Sequence, residues 1–588
     1  MKHYKYLGYA MMAAGMLVAT SCSDFSDYNE AKPDSTPSGN LTLWENISQT
    51  PQLSDFAALV KRVGFDKELG NTRYFTVWAP VNGSFSRSDL DAMNDSLILA
   101  QFIKSHVAEY GHAATGILDE RIHTLNDKSF TFAGSGNYTF DGVGLSATNL
   151  PSINGLMHLL NGTARFFPNI YEYIFMADGI DSLRAQFLRY QQTTLDQDAS
   201  IKGPMVNGVQ TYIDSVLVTR NTLTAQLNAQ IANEDSSYTF LMPTNNAFRN
   251  TYDRIKSLYK FITTTTVQDP ENFTKAGDTK TKSVTVDAEY MSDSLTRRVL
   301  FNDLAYSNTN MYNQWIVGKG HNADTIRSTT RNKFSNPKDI IEKYMVGQPV
   351  EMSNGYVRIV DSLAFYPWES FNPEISVNPR NNLACLFPAG AQAYRNQSIP
   401  DSLLSQIFGE DVKRRNYNGY RYMWSDPGGD RAKPDFNIML PGVLATTYNI
   451  YVVFLPSAMR LVGNDPRPNK LNFELTYCNE SGTVASYKFS KAIADSIRSG
   501  GELPKQPTAL NMNTSFENDP EKLDSVFIGQ FTFPVAYNGL GDYAPNIRIT
   551  SPISVFSNDQ LATYTRDVRI AAIVLKPLEL EEFEANKK

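Results

Sequence analysis

The sequence predicts α+β folds for residues 41–168 and 169–367, and an all-β, jelly-roll-like sandwich for residues 368–588. Three observations predict this. A strand-and-turn motif occurs twice, as TVWAPVNGSF at 76–85 and as TFLMPTNNAF at 239–248. An Asn-Gly motif follows each copy in the same order, which indicates one fold used twice. Helical periodicity nearly disappears beyond residue 368, where strand patterns dominate.

The strand-and-turn motif describes an apolar strand that stops at Pro80 in the first copy and at Pro243 in the second. Proline cannot continue a sheet ladder, so we expect a turn after it and then a helix. The aromatic residue that closes each motif, Phe85 or Phe248, is expected on the inner face of that helix. Both phenylalanines are therefore predicted to be buried.

The Asn-Gly motif occurs at Asn154-Gly155 and at Asn354-Gly355, and an apolar run follows each. Asn-Gly before an apolar run is typical of a tight turn that enters a strand. We expect a positive φ at each glycine, because glycine has no Cβ to clash. The strand that follows should pair with the strand that ends at the motif proline of the same copy.

The remaining elements of the two copies follow from periodicity and from turn residues. Residues 41–63 have a helical pattern that a proline divides into two helices. Further helices are expected within 84–110 and from about 171 to 190. An Asn-Gly pair near 206–216 predicts an extra hairpin in the second copy. Residues 263–295, rich in Thr, Lys and Asp, are expected to be a surface excursion.

The segment beyond residue 368 contains regularly spaced strand patterns, several with alternating polar and apolar residues. Regular strands separated by Gly, Pro and Asn turns favour a β-sandwich. Helical patterns are expected only at 401–415 and 489–499. The predicted strands are 436–440, 448–455, 471–477, 525–533, 546–550 and 568–575.

The motifs of both copies resemble those of the fasciclin domain, whose early strand reads roughly TVFAPTNxAF and whose late strand reads NGxIHxID. The late motif here is INGLMHLLN at 153–161 and SNGYVRIVDS at 353–362. The resemblance implies that His106 matches the central histidine of the family and has a structural role. The second copy has no histidine at 299–303. Fasciclin domains are adhesion and extracellular-interaction modules, so the resemblance implies a binding function.

The N-terminus has the pattern of a processing segment. Two lysines precede an apolar run at 7–20, which is too short for a membrane span, and Ser21-Cys22 follow. A cysteine directly after a small residue resembles the bacterial lipoprotein box. Residues 1–21 are therefore predicted to be a lipoprotein signal peptide, with Cys22 acylated and anchored in the membrane. The alternative is an ordinary secreted protein with a stray cysteine.

Residues 22–40 are predicted to be an acidic and Pro/Ser-rich linker. Acidic residues behind the lipidated cysteine resemble the surface-export signal of some Gram-negative lipoproteins, although a solvated linker has the same composition. Together with Cys22, this segment predicts a lipid anchor in the outer membrane and exposure at the cell surface.

The composition excludes some partners and suggests others. The net charge of −7, without a basic stripe, argues against nucleic acid as a partner. The 31 tyrosines suit contact with carbohydrate or protein, but they also pack ordinary sheets. Tyr420, Tyr422 and Trp424 share one strand face by period two and lie beside Gly-rich turns. We interpret them as candidate ligand-binding residues, with a core-facing strand edge as the alternative.

The sequence contains no catalytic constellation that we recognise, so no catalytic residue, metal ion or cofactor is predicted. The chain has six histidines and none after His321, which excludes a Ser-His-Asp triad or histidine metal site in the C-terminal segment. His106 and His112 are six residues apart and do not share a helix face. Cys385 and Cys478 could form a disulfide, or Cys478 could be a lone exposed thiol.

The leading functional hypothesis is therefore a non-catalytic, lipid-anchored surface protein that mediates binding or adhesion. Its partner would be an extracellular protein or glycan, or an outer-membrane transporter complex for nutrient uptake. The alternative is a glycan-active enzyme with catalytic carboxylates in the C-terminal sandwich, which rests on architecture alone.

Overall fold

The computed structural model divides the chain into two compact bodies. The smaller body contains the described residues up to Ala177, with Gln230–Tyr238 and Pro349–Val357. The larger body contains Asp178–Ala229, Thr239–Gln348 and the residues from Arg358 onward. The structure describes residues 39–587 except 207, 269–279, 320–323, 378–384, 387–392, 399–420, 427–432, 457–464, 501–514, 538–544 and 555–556.

The elements up to residue 177 mix helices and strands, as the α+β prediction requires. The helices are α1 (Leu43–Gln49), α2 (Ser54–Arg62), α3 (Asp66–Leu69), α4 (Arg87–Asp91), α5 (Asp95–Leu97) and α6 (Ile170–Met176). The strands are β1 (Phe75–Pro80), β2 (Val107–Glu109), β3 (Ile117–His123), β4 (Ser129–Ser135), β5 (Asn137–Phe140), β6 (Val143–Ser152) and β7 (Gly155–Leu160).

These seven strands form one sheet in the order β2-β1-β7-β6-β5-β4-β3. The neighbouring strands β1 and β7 run parallel, with Phe75 opposite Gly155 and Pro80 opposite Leu160. Helix α1 begins with a capping box between Thr42 and Glu45. A 3₁₀ turn that starts at Pro51 separates α1 from α2, so the two predicted helices are confirmed. Apolar residues of both helices and of β1 form one buried cluster.

The elements from residue 178 to 367 repeat part of this plan. The helices are α7 (Asp181–Arg189), α8 (Thr222–Gln226), α9 (Asn245–Leu258) and α10 (Ala288–Phe301). The strands are β8 (Gln191–Val206), β9 (Val209–Asn221), β10 (Tyr238–Pro243), β11 (Thr264–Gln268), β12 (Thr281–Thr285), β13 (Ala305–Ser307), β14 (Ile326–Arg327), β15 (Lys333–Phe334), β16 (Val350–Met352) and β17 (Gly355–Val360).

The strand pairing that was predicted for both copies is confirmed. In the second copy β10 lies beside β17, in a sheet of order β13-β10-β17-β16. The backbone N–H of Tyr238 donates to Asn354 O at 3.0 Å, and that of Thr244 donates to Val360 O at 2.9 Å. Both bonds run in the same order along the two strands, so the strands are parallel, as β1 and β7 are.

Two predictions about the second copy were partly wrong. The single helix expected at 171–190 is divided into α6 and α7, because Gly179 adopts φ +77° between them. The excursion expected at 263–295 is shorter. Strands β11 and β12 pair antiparallel over 264–268 and 281–285, and Ala288 begins helix α10, on which Ser292 is 6% exposed. Polar composition did not separate a surface hairpin from the half-buried helix that follows it.

The described residues beyond 367 form two antiparallel sheets, in the orders β20-β21-β29-β23-β27 and β19-β22-β28-β24-β25. Strand β18 pairs with β29 and β26 pairs with β24. The strands are β18 (Ile375–Val377), β19 (Cys385–Leu386), β20 (Ala393–Ser398), β21 (Arg421–Asp426), β22 (Asp435–Met439), β23 (Thr447–Phe454), β24 (Lys470–Cys478), β25 (Val484–Lys488), β26 (Phe516–Glu517), β27 (Asp524–Thr532), β28 (Asn546–Thr550) and β29 (Val568–Pro577). The helices are α11 (Lys491–Arg498), α12 (Asn558–Thr563) and α13 (Leu578–Asn586).

One hydrophobic cluster contains residues from both of these sheets, among them Phe436 and Ile549 from one and Ile450 and Ile570 from the other. The six strands predicted in this segment are all present. The helix expected at 489–499 is confirmed as α11, and the one at 401–415 lies outside the described residues. The jelly-roll connection of the strands stays a prediction.

The prediction that Cys478 is either bridged or exposed is wrong on both counts. Its thiol is free, and the residue is 4% exposed at the end of β24. Burial raises the pKa of this thiol. Leu471, Phe473 and Leu475 belong to the core cluster and Tyr477 packs against it, so Cys478 is buried on the opposite phase of the strand. Cys385 begins β19, opposite Ile438.

The predicted signal peptide, the lipidated Cys22 and the linker before residue 39 lie outside the described residues. Within the described ranges, no helix combines the length and the apolar character that a membrane crossing requires.

Candidate binding surface

The asparagine of the first Asn-Gly motif is a structural residue. Asn154 is 3% exposed, and its Oδ1 accepts a hydrogen bond from the backbone N–H of Leu43 at 2.8 Å. Its Nδ2 donates to Leu69 O at 2.9 Å and to Asn71 O at 2.7 Å. One amide thus joins the start of α1, the end of α3 and the entry to β7.

Asn354 makes the same set of bonds in the second copy. Its Oδ1 accepts from the backbone N–H of Ile170 at 3.0 Å, and its Nδ2 donates to Ile231 O and Asn233 O at 2.8 and 3.1 Å. Ile170 begins α6 as Leu43 begins α1. The repeated motif therefore encodes a hydrogen-bonded junction, because a buried amide needs all its partners within the fold.

The asparagine that follows each motif proline has a second structural role. Asn82 Oδ1 accepts from the backbone N–H of Asp55 at 3.0 Å, and Asn245 Oδ1 accepts from that of Ser182 at 2.8 Å. Asp55 and Ser182 lie in the first turns of α2 and α7, where backbone N–H groups have no helical partner. The motif asparagines thus satisfy helix N-termini inside the fold.

The burial prediction for the two motif phenylalanines is half confirmed. Phe248 lies in α9 and is 6% exposed. Phe85 is only partly buried, and it lies in the turn before α4 rather than in a helix. It packs on the rim of the core, against Phe102 at a ring distance of 5.2 Å. The first copy starts its helix later, so the same motif position no longer points into the core.

The histidines of the first copy are used as hydrogen-bonding core residues. His106 is fully buried; its Nδ1–H donates to Phe102 O at 2.7 Å and its Nε2 accepts from the backbone N–H of Ala164 at 3.1 Å. His158 donates from Nε2 to His112 O at 2.9 Å and accepts at Nδ1 from the N–H of Asn149. Both nitrogens of each ring are occupied, so neither ring is available to a ligand without unfolding.

These bonds predict a pH dependence of stability. Burial lowers the pKa of His106 and of His158 to about 4. Between pH ~6.5 and ~4 the unfolded chain binds more protons than the folded chain, so stability is lost as the pH falls through this window. From pH 7 to about 4.5 we expect each histidine to remove roughly 2–3 kcal/mol from the free energy of unfolding.

Urea unfolding of the native chain and of His158→Gln at both pH values checks this prediction. Glutamine does not titrate, so the variant should lose less stability on acidification than the native chain does. An equal loss in the two proteins would contradict the assigned protonation states.

The larger body contains a buried carboxylate with a comparable structural role. Asp303 is 1% exposed and accepts hydrogen bonds from Ser328 Oγ at 2.7 Å and from Ser370 Oγ at 2.6 Å. Thr330 and Asn332 donate to the same group. Burial raises the pKa of Asp303. Four neutral donors around one carboxylate form a satisfied polar junction.

The sequence-predicted ligand residues have different positions in the structure. Tyr420 lies outside the described residues. Tyr422 and Trp424 lie on β21, which is an interior strand between β20 and β29 rather than a sheet edge. Trp424 is opposite Arg569 in the register, whereas the core residues Val568 and Ile570 are opposite Ser425 and Met423. Their role in ligand binding stays a prediction.

A long hairpin in the larger body, here called the ribbon, consists of β8 and β9 and covers residues 191–221. Gly208, at φ +79°, forms its turn, so the predicted extra hairpin is confirmed. Asn221 ties the ribbon to the body, because its Nδ2 donates to Phe187 O at 2.7 Å and its Oδ1 caps α8.

Apolar side chains are concentrated on the outside of the ribbon. Its exposed large apolar residues are Ile201, Met205, Val206, Val209, Ile213, Val216 and Leu217. They are seven of the sixteen exposed large apolar residues in the described part of the chain, although the ribbon is a small fraction of it. Contiguous exposed apolar surface marks interaction sites. Sequence reasoning identified this hairpin but not its exposure, which the apolar run Val216-Leu217-Val218 could have indicated.

The ribbon also presents open backbone. Strands β8 and β9 form a two-stranded sheet of their own, and no other described strand pairs with either. A two-stranded hairpin is marginally stable in water, and its outer N–H and C=O groups can pair with another strand. The ribbon is therefore the candidate binding surface of the described residues.

Comparison with protein families matches residues 51–163 to the Fasciclin domain. This range lies within the first copy of the repeated motifs and covers less than half of the chain. No curated protein matches the chain.

Solved structures similar to the chain include a FAS1 domain pair from the insect cell adhesion molecule Fasciclin I. The identity is 11% and the TM-score 0.19, over 54% of this chain and 98% of that one. The CBM22-1–GH10 modules of xylanase 10B from Clostridium thermocellum, complexed with xylohexaose, match at 10% identity and a TM-score of 0.17, over 32% of this chain and 24% of that one. A Paenibacillus xanthan lyase matches at 8% identity and a TM-score of 0.17, over 40% of this chain and 18% of that one. Likenesses this weak carry no argument about function.

Proposed function

We propose that this chain, whose residues 51–163 match the Fasciclin domain, is a lipid-anchored cell-surface protein that mediates binding and adhesion. The family match is the observation that carries the proposal, since Fasciclin domains are typically adhesion modules. The exposed ribbon supports it, because this surface is apolar, open at its backbone edges and unpaired within the described chain.

The chemistry of the repeated motifs supports a non-catalytic role. Asn154, Asn354, His106 and His158 have their polar atoms occupied by internal hydrogen bonds. A catalytic group must be free to contact a substrate, whereas these groups hold the fold. The proposed ligand is an extracellular protein or a glycan, and Tyr420, Tyr422 and Trp424 are the proposed glycan contacts.

A more specific form of the proposal is an accessory subunit of an outer-membrane nutrient-uptake system. Affinity purification of the full chain after mild detergent extraction tests it. Copurification of an outer-membrane transporter would support the accessory role. Recovery of the chain without a transporter would leave adhesion to a host or neighbouring cell as its function.

The second candidate function is a glycan-active enzyme with paired carboxylates in the C-terminal sandwich, and only the sheet architecture favours it. Turnover assays of the full chain on a polysaccharide panel test this alternative. Activity that a single Asp or Glu substitution in 369–588 abolishes would replace the binding proposal. Absence of turnover on the whole panel would favour binding.

The proposed anchor predicts the behaviour of a Cys22→Ala variant. The described domains begin after residue 38 and bury their cores without the acyl chains. Since each buried methylene contributes about 0.8 kcal/mol to membrane attachment, the variant should fold but leave the membrane fraction. Fractionation at high salt, with circular dichroism of the released protein, checks both expectations. A Ser23→Ala variant serves as the matched control and should stay anchored. Outer-membrane association of Cys22→Ala at high salt would refute the anchor.

A further inference from the structure

We propose that the ribbon binds the ribbon of a second copy of this chain, edge to edge through β9, about a twofold axis at Leu217. The product is a four-stranded antiparallel sheet in the order β8-β9-β9-β8. The proposal names a partner for the proposed binding function and rests on it for the setting at the cell surface. Its structural basis is the open edge, the charge pattern and the apolar centre of β9.

The edge of β9 is suited to strand addition. Its pairing with β8 is regular from Val216 opposite Asp196 to Asn221 opposite Gln191. Strand β8 is a poorer edge, because two of the three register shifts between Asp196 and Met205 place the extra residues in β8, and because it contains Pro204. Proline has no N–H to donate, and irregular pairing bends an edge away from a partner. A strand added to the ribbon is therefore expected at β9.

The charges of β9 select one register. Asp214 and Arg220 are the only two charged residues of the strand. In an antiparallel pair of identical strands, residue i faces residue 434 − i when Leu217 faces its own copy. Asp214 of each strand then faces Arg220 of the other, twice per dimer. Opposite charges across strands are favourable and like charges are unfavourable, so registers that leave both charges unpaired are disfavoured.

The same register forms an apolar centre. Val216 of one copy faces Val218 of the other, on both sides of the central Leu217 pair. Leu217 is 63% exposed in the single chain, so pairing would remove it from water. Branched residues facing each other across strands stabilise a sheet. The twofold symmetry that this pairing requires is the commonest symmetry of homodimers.

A lysine substitution at the centre tests the proposal. Sedimentation velocity of the full chain in mild detergent should show a dimer, and Leu217→Lys should weaken it by at least roughly tenfold, because two lysines would face each other. The matched control is Val209→Lys. Val209 is 67% exposed at the tip of the ribbon and lies outside the paired segment, so this variant should dimerise normally.

Charge reversal tests the register. Asp214→Arg alone and Arg220→Asp alone should each weaken the dimer, since each places like charges opposite each other. The double variant restores both opposite pairs and should dimerise like the native chain. Circular dichroism of each single variant confirms folding, so loss of the dimer is assigned to the edge.

Cross-linking gives an independent measurement. Leu217→Cys should form an intermolecular disulfide with its own copy under mild oxidation, because residues directly opposite have Cβ atoms about 4.5–5.5 Å apart. Val209→Cys should cross-link far more slowly.

Equal cross-linking of the two variants, a monomer at all concentrations, or loss of the dimer only in the tip variant would overturn the proposal. If the chain binds vesicles of phosphatidylethanolamine and Val209→Lys at the tip abolishes this binding, the ribbon would instead be assigned to a lipid surface. A native chain that stays monomeric but binds an extracellular ligand would overturn this inference and leave the proposed function standing.

Discussion

Gly355→Ala is expected to lower the free energy of unfolding of the smaller body by about 3–5 kcal/mol. Gly355 has φ +135°, in a region that side-chain-bearing residues rarely adopt. A Cβ built on it would lie 1.9 Å from Tyr238 O. Gly155 has the same geometry, with φ +157° and a Cβ that would lie 2.0 Å from Phe75 O. The Gly155→Ala variant should therefore lose a similar amount.

The clash cannot be relieved by rotating a side chain, because the atom in contact is a backbone oxygen of the strand paired with the glycine. Relief requires separating β10 from β17, or β1 from β7, and all four are interior strands of their sheets. Urea unfolding measured by tryptophan fluorescence gives the loss. Gly142→Ala is the matched control: its φ is +74°, but its Cβ would meet nothing within 4 Å. It should lose only about 1–2 kcal/mol. Equal losses at the three positions would show that the close approach is not what constrains the motif.

Lys128→Met is expected to cost about 3–5 kcal/mol, because it removes the cation from a buried ion pair. The side chain of Lys128 is 3% exposed, and its Nζ lies 2.6 Å from Glu172 Oε2 and 2.6 Å from Glu234 Oε1. Nζ also lies 3.5 Å from Ser353 Oγ. Glu234 is itself only 10% exposed, so the variant would leave a buried carboxylate without a counter-charge.

A second substitution separates the charge from the volume. Lys128→Met combined with Glu234→Gln removes both buried charges and should recover more than half of the loss, since a neutral amide costs less to bury than an unpaired carboxylate. Lys256→Met is the matched control at an exposed pair, where Lys256 contacts Glu289 at 2.6 Å, and should change stability by at most about 1 kcal/mol. Urea midpoints at pH 7 measure all three variants. No recovery in the double variant would mean that packing, rather than charge, explains the cost.

Lys128 also has an architectural consequence. It belongs to the first copy of the repeated motifs, and both of its glutamate partners belong to the second. These three residues and Ser353 all lie in the smaller body, which combines the first copy with α6, Gln230–Tyr238 and Pro349–Val357 of the second. The ion pairs of Lys128 thus join the two copies within this body.

The sequence by itself determined the residues whose role is local. Gly155 and Gly355 adopt positive φ, and Pro80 and Pro243 end their strands. These roles depend on the covalent chemistry of one residue and its neighbours, so the same letters produce the same structure in both copies. Strand patterns separated by turn residues likewise located the six C-terminal strands, because turn and strand signals are local to each segment.

Only the tertiary structure decided the properties that depend on residues distant in sequence. Phe85 is only partly buried where Phe248 is buried, and Cys478 is buried against its expected phase. Lys128, a surface residue by type, is buried because Glu172 and Glu234 arrive from the second copy. Leu217 and its neighbours, apolar by type, are exposed because no other described strand covers the ribbon. Burial and charge pairing are set by what packs from elsewhere in the chain, and a local pattern does not contain that information.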